Sequence, residues 1–201
     1  MGNNYSEIIH ANLDIFYRNR PEDEPERRLP ASREQDRFHF KAFGEHCQIS
    51  PGGIRLNGEK IDDPRGIIIS LYARGATDSP CVPEPLKAYR EFDNTMPYAG
   101  AFHSHTEQIL IPRAGEIIDR KKIIIRKLDG TQAPPSVGGD GSFLVTPLPK
   151  IKLCYIIYEA DEDFEAAVTC LYSANADEFL PPDALADLGE YTSRKIASLL
   201  T

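Results

Sequence analysis

Two apolar runs near the C-terminus, residues 153–158 and 167–172, flank the acidic stretch Asp161-Glu162-Asp163. This arrangement leaves the chain little freedom. Short β-branched and aromatic runs bounding a charged turn predict an antiparallel hairpin. A turn centred on Glu162 would set Cys154 opposite Cys170, Ile156 opposite Val168 and Tyr158 opposite Ala166. Both faces of such a pair carry apolar side chains, so it belongs in a covered or central position. Opposed cysteines lie within disulfide range by distance, but both thiols are expected to be free and inert.

The rest of the chain supplies elements to cover that pair. Residues 142–146 read as a further strand. Residues 182–199 read as a closing helix, with Asp183 and Asp187 near its start and Arg194 and Lys195 near its end, as the helix dipole favours. Upstream, residues 3–17 carry Ile8, Ile9, Ile15 and Phe16 at helical spacing. Residues 38–42, 46–49 and 54–56 alternate as short strands of a meander, punctuated by Gly44, Pro51-Gly52-Gly53 and Asn57-Gly58. Asp63 before Pro64, with Gly75 beyond, bounds a buried helix over 65–74. Residues 75–98 hold four prolines and read as irregular. Residues 99–128 read as two helical pieces parted at Pro112, the second placing Ile117, Ile124 and Leu128 on one stripe before Gly130. The expected fold is therefore one α+β domain over 1–201. Its antiparallel sheet includes the C-terminal β-hairpin, flanked by an N-terminal helix, a middle helical pair and a closing C-terminal helix. Residues 20–34, rich in charge and proline, read as an exposed connection.

Composition narrows the function classes. The net charge is −8, which argues against a general nucleic-acid or anionic-membrane binder. No apolar stretch approaches the roughly 20 residues that span a bilayer. The N-terminal residues lack a basic region followed by an apolar one, so no secretory signal is expected. The four cysteines, Cys47, Cys81, Cys154 and Cys170, include no Cys-x-x-Cys pair. They read as reduced thiols of a cytoplasmic protein. The chain also lacks a Walker loop, a Gly-x-Ser-x-Gly elbow and a dinucleotide fingerprint.

Leu148-Pro149-Lys150, the run from Tyr158 through Asp161-Glu162-Asp163-Phe164, then Ala174-Asn175-Ala176, Leu180 and Leu188-Gly189-Glu190 resemble an uncharacterised prokaryotic family. It is known only as a domain of unknown function, numbered 3786. Gly130, Gly139-Asp140, Phe43-Gly44 and the 67–72 helix also resemble family positions. Lys152 stands where a proline is commoner, and the acidic stretch 21–28 is private to this chain. The resemblance implies an anaerobic bacterial or archaeal setting and a protein partner of the iron–sulfur or corrinoid kind. It implies no reaction and no catalytic residues.

Three clusters carry candidate chemistry. His103, His105 and Glu107 are suitable ligands for a transition metal. On a strand all three would share a face. On a helix His103 and Glu107 would share one while His105 points away. A tight site would need a further ligand, for which His39, His46 and Cys47 are candidates. Asp161, Glu162, Asp163 and Glu165 form the densest carboxylate group and read as a solvated turn or a partner contact. Arg120, Lys121, Lys122 and Arg126 belong to a segment, 113–127, of net charge +4, ahead of a C-terminal stretch, 129–201, of net charge −8. They read as an anion-binding stripe or as a solvated helix face. Two functions stand. One is a cytoplasmic accessory or binding domain that docks a protein partner or small ligand, in anaerobic metallocofactor metabolism if the family context holds. The other is a metal-dependent hydrolase or lyase that uses His103, His105 and Glu107.

Overall fold

The computed structural model describes residues 4–18 and 28–200. Residues 19–27, most of the charged connection, lie outside the described residues, as does the first residue of the expected N-terminal helix. The strands form two five-stranded antiparallel sheets. The first is a meander of β1 (Ser32–Glu34), β2 (Arg37–Ala42), β3 (Glu45–Ser50), β4 (Gly53–Leu56) and β5 (Glu59–Lys60). The second has the order β6 (Lys87–Ala88), β10 (Ala167–Tyr172), β9 (Ile151–Tyr158), β8 (Gly141–Leu148) and β7 (Thr131–Gln132). Among the described residues, four helices of more than ten residues accompany them: α1 (Tyr5–Arg18), α2 (Pro64–Arg74), α3 (Ala114–Lys127) and α4 (Pro182–Ser198). The expected α+β architecture, its C-terminal hairpin and its flanking helices are all present.

Turn chemistry sets the first sheet. Asn57 and Gly58 both take positive φ, 49° and 88°, the primed turn that matches strand twist. Phe43 and Gly44 do the same at 53° and 74°. For a bulky residue such as Phe43 this conformation costs about 1–3 kcal/mol. Its surroundings fix it there: the ring is buried and its N–H donates to Pro147 O at 2.8 Å. The tip of the β2–β3 hairpin thereby fastens to the second sheet. A side chain on Gly44 would meet Lys127 O at 2.0 Å, at the end of α3.

Helix α2 joins the two sheets. Asp63 caps it, its Oδ1 accepting from Arg65 N–H at 2.9 Å. Gly66, Ile68, Ile69, Ser70, Tyr72 and Ala73 are all buried. On one side Asn12 of α1 donates to Ser70 Oγ at 3.0 Å and accepts from Arg74 at 2.9 Å. On the other, Tyr72 lies 6.3 Å from the Phe40 ring, and its hydroxyl accepts from Lys150 N–H at 3.1 Å. Lys150, in the Leu-Pro-Lys turn between β8 and β9, is 6% exposed. Its ammonium donates to Thr77 O at 2.5 Å and sits over the Phe179 ring. Burial lowers its pKa, and the nearby Asp78 opposes that shift. One contiguous apolar cluster runs through both sheets and all four helices.

The C-terminal hairpin departs from the expected register. Cys154 pairs with Leu171, and Cys170 with Tyr155. The two thiols therefore lie on opposite faces of the sheet, because a slip of one residue reverses every side chain. The loop sets this register. It spans the eight residues 159–166, and Asp161 Oδ1 accepts from both Asp163 N–H and Phe164 N–H at 2.8 Å. That turn puts the hairpin's centre between residues 162 and 163 and not on Glu162. The Tyr155 face is wholly buried: Phe143 stacks on Tyr155 at 5.7 Å, and Tyr155 shares a 2.9 Å hydrogen bond with Ser193 of α4. On the closing helix Tyr172 donates to Leu185 O at 2.7 Å.

This packing yields three testable expectations. Gly44→Ala combines a backbone steric conflict with a left-handed φ, so it should cost upward of about 2 kcal/mol by denaturant unfolding. Burial pushes the Cys47 and Cys170 thiols up and carries Cys154 up to about 11. At about pH 8, therefore, a thiol reagent should label half-buried Cys81 and spare the other three until unfolding. The native state holds protons that the unfolded thiols release above about pH 8.5, so stability should fall as pH rises past that value.

Candidate functional site

The chemistry gathers on the segment between β6 and α3. A short helical piece, Ala99–Phe102, widens at once into a π-helical turn, His103–Gln108. Such turns insert a residue into the helical ladder and re-aim the side chains around them. His103 and Glu107 meet: His103 Nδ1 and Glu107 Oε2 are 2.7 Å apart. A carboxylate only accepts, so Nδ1 carries a proton, and Nε2 has no hydrogen bond to a described residue. The other carboxylate oxygen, Oε1, accepts from Cys170 N–H at 3.0 Å. The Glu107 side chain is 15% exposed, which makes it a nearly buried carboxylate held by two donors.

Sheet geometry explains why the Cys170 amide is available. Strand β6 pairs with only Leu171 and Tyr172 of β10. Beyond them the outer edge of β10 is unpaired, and backbone groups alternate along a strand. The Cys170 N–H points outward to Glu107, so the Val168 N–H and C=O, two residues away, point the same way. A cleft of about 420 Å³ opens here. Its walls are Phe102, Ile111 and Val168 together with Tyr89, which stacks on Phe102 at 4.4 Å. Its polar groups are His103, Glu107, Thr169 and Arg90. Tyr89 is anchored by donation to Pro182 O at 2.8 Å, and burial pushes its phenol pKa up. A concave, mainly apolar cleft with a few convergent polar groups is the usual form of a small-molecule site.

His105 turns the other way. Its Nδ1 lies 3.0 Å from Glu190 Oε2, and Glu190 Oε1 accepts from Arg194 at 2.6 Å. Gly189 permits this contact: a side chain there would meet Phe102 and the Tyr172 hydroxyl at 2.7 Å. The motif's two imidazoles are thus committed to two different carboxylates. His39 and His46 stand on the first sheet with rings 5.3 Å apart, and Cys47 faces the core. Among the described residues no group of three or more His, Cys, Asp and Glu is arranged to hold a metal ion. Asp161, Glu162, Asp163 and Glu165 sit in the exposed β9–β10 loop beside Phe164, which is 75% exposed. Arg120, Lys122 and Arg126 are exposed and Lys121 half-buried on α3, where Arg120 donates to Leu199 O at 3.3 Å.

Sequence reasoning singles out His103 and Glu107 but misses Tyr89, Arg90 and Glu190. Glu190 had two signals: its place in the Leu188-Gly189-Glu190 motif and its spacing of four from Arg194. A family model described as a domain of unknown function (DUF3786) matches residues 23–195. No curated protein and no solved structure matches the chain.

Glu107→Ala should cost about 1–3 kcal/mol, because it strands the Cys170 N–H without an acceptor. Glu107→Gln keeps an acceptor oxygen and should recover most of that loss. Equal destabilisation of the two variants in chemical denaturation would contradict the acceptor role.

Proposed function

We propose that this chain, which belongs to the DUF3786 family, is a small-ligand binding domain whose site is the cleft between the π-helical turn and the free edge of β10. One observation carries the reading. Glu107 spends its two oxygens on Cys170 N–H and His103 Nδ1, leaving His103 Nε2 without a hydrogen bond to any described residue at the mouth of an apolar cleft. The complementary ligand is a small carboxylic acid with a short apolar body. The body would lie against Phe102, Ile111 and Val168, and the acidic head would accept from Arg90 and, with the ring doubly protonated against Glu107, from His103 Nε2–H. The acidic β9–β10 loop, with Phe164 exposed at its tip, would supply the contact for a protein partner. In the anaerobic setting that the family resemblance implies, that partner would be an iron–sulfur or corrinoid protein. The same reading puts the domain in a reducing cytoplasm, supported by four unpaired thiols.

The test is a protein-detected NMR screen with a library of small aliphatic and aromatic carboxylic acids. Binders should shift the amides of Phe102, His103, Val168 and Thr169, and His103→Ala should weaken them on the order of tenfold. Binders that map elsewhere on the surface would overturn the site. A zinc titration is run in parallel. Stoichiometric uptake lost on replacing both His103 and His105 would put the metal-dependent enzyme in place of the ligand-binding domain.

A further inference from the structure

The first sheet has one buried face and one open face. Phe38, Phe40, Cys47, Ile49, Ile54 and Leu56 point to the core, so by alternation Arg37, His39, Gln48, Ser50 and Arg55 point out. The ladder aligns these residues. Gln48 lies opposite Arg55, and Arg55 opposite Lys60. Two cations facing each other across a strand pair destabilise a sheet. Local contacts relieve this only in part: Arg55 Nη1 donates to Gly58 O at 2.8 Å, and Lys60 lies 3.3 Å from Asp62. Arg37 stands on the same face. Its ladder partner is Glu34, yet Glu34 turns to His39, with Oε2 at 4.0 Å from Nε2. The Arg37 side chain pairs with no described residue.

These side chains surround a cleft of about 260 Å³, lined by Arg37, Gln48, Ser50, Arg55 and Lys60 and floored by the glycine turn at Gly53. Among the described residues no carboxylate lines it, in a chain whose net charge is −8. Three cations and an amide around a small polar hollow form a donor set for a tetrahedral oxyanion, while the Ser50 hydroxyl donates to Gly53 O at 3.1 Å. Guanidinium groups match such oxygens through paired hydrogen bonds. We propose that this face of the first sheet binds the phosphate group of a small soluble ligand, with Arg37 and Arg55 as the principal donors and Lys60 as the third charge. The site stands apart from the β10 cleft and does not depend on its function.

The full chain is titrated with inorganic phosphate and with pyrophosphate, ionic strength being held constant with chloride, and followed by amide chemical shifts. Saturable shifts should concentrate at Gln48, Ser50, Gly53 and Arg55, with pyrophosphate the tighter ligand. Arg37→Gln and Arg55→Gln should each weaken binding on the order of tenfold. Unliganded Arg55→Gln should be no less stable than the parent, because it removes the repulsion with Lys60. If it proves less stable, Arg37→Gln alone decides, since Arg37 has no partner to lose among the described residues. An equal response to chloride would overturn the proposal. So would shifts spread over the basic residues of α3, or binding to anionic-lipid vesicles without binding to free phosphate.

Discussion

Burial of α2 is the constraint on which the rest of the structure depends. A helix that is apolar nearly all round must be covered on every side. Here α1 lies along one flank, the first sheet reaches it through Phe40, and the second reaches it through the Lys150 turn. The polar groups drawn inside are each satisfied locally: Ser70 by Asn12 and Ile67 O, Tyr72 by Lys150 N–H. Buried polar contacts of this kind cost most when half-made, so they fix one arrangement of the surrounding elements. The strained Phe43 turn adds a second fastening between the sheets at the end of α3.

That scaffold also explains how the site is positioned. Helix α4 packs on the Tyr155–Tyr172 face of the second sheet, and Gly189 lets the π-helical turn approach it closely. The approach brings Glu107 to the edge of β10 and His105 to Glu190. Two imidazoles that are neighbours in sequence thus receive different carboxylates and different surroundings. One faces an apolar cleft. The other joins a polar network with Arg194 and Asp187, whose carboxyl burial pushes up, helped by Glu190 and Asp183.

Local signals in the sequence carried much of this. The Asp63 cap, the Asn57-Gly58 turn, the Ile117–Ile124–Leu128 stripe and the closing helix all rest on short-range chemistry. They lie where the residues place them. The hairpin register did not, because it hangs on side-chain bonds from Asp161 inside the loop, and loop composition alone does not specify those. The site was legible only in part for a similar reason. His103 and Glu107 sit four apart and can be paired from spacing. The Cys170 amide and Glu190 join the histidine motif across 63 and 85 residues of chain, and no local pattern encodes such meetings.

The placement of Glu107 has one more consequence, for how the molecule behaves among copies of itself. An unpaired strand edge is a template on which another chain can add a strand. Strand β6 is too short to shield β10, and the Cys170 amide on that edge is already bonded to the nearly buried Glu107 carboxylate. An incoming strand would have to displace that carboxylate and leave its charge in an apolar wall. The residue that shapes the cleft thus also guards the sheet against growing into an aggregate.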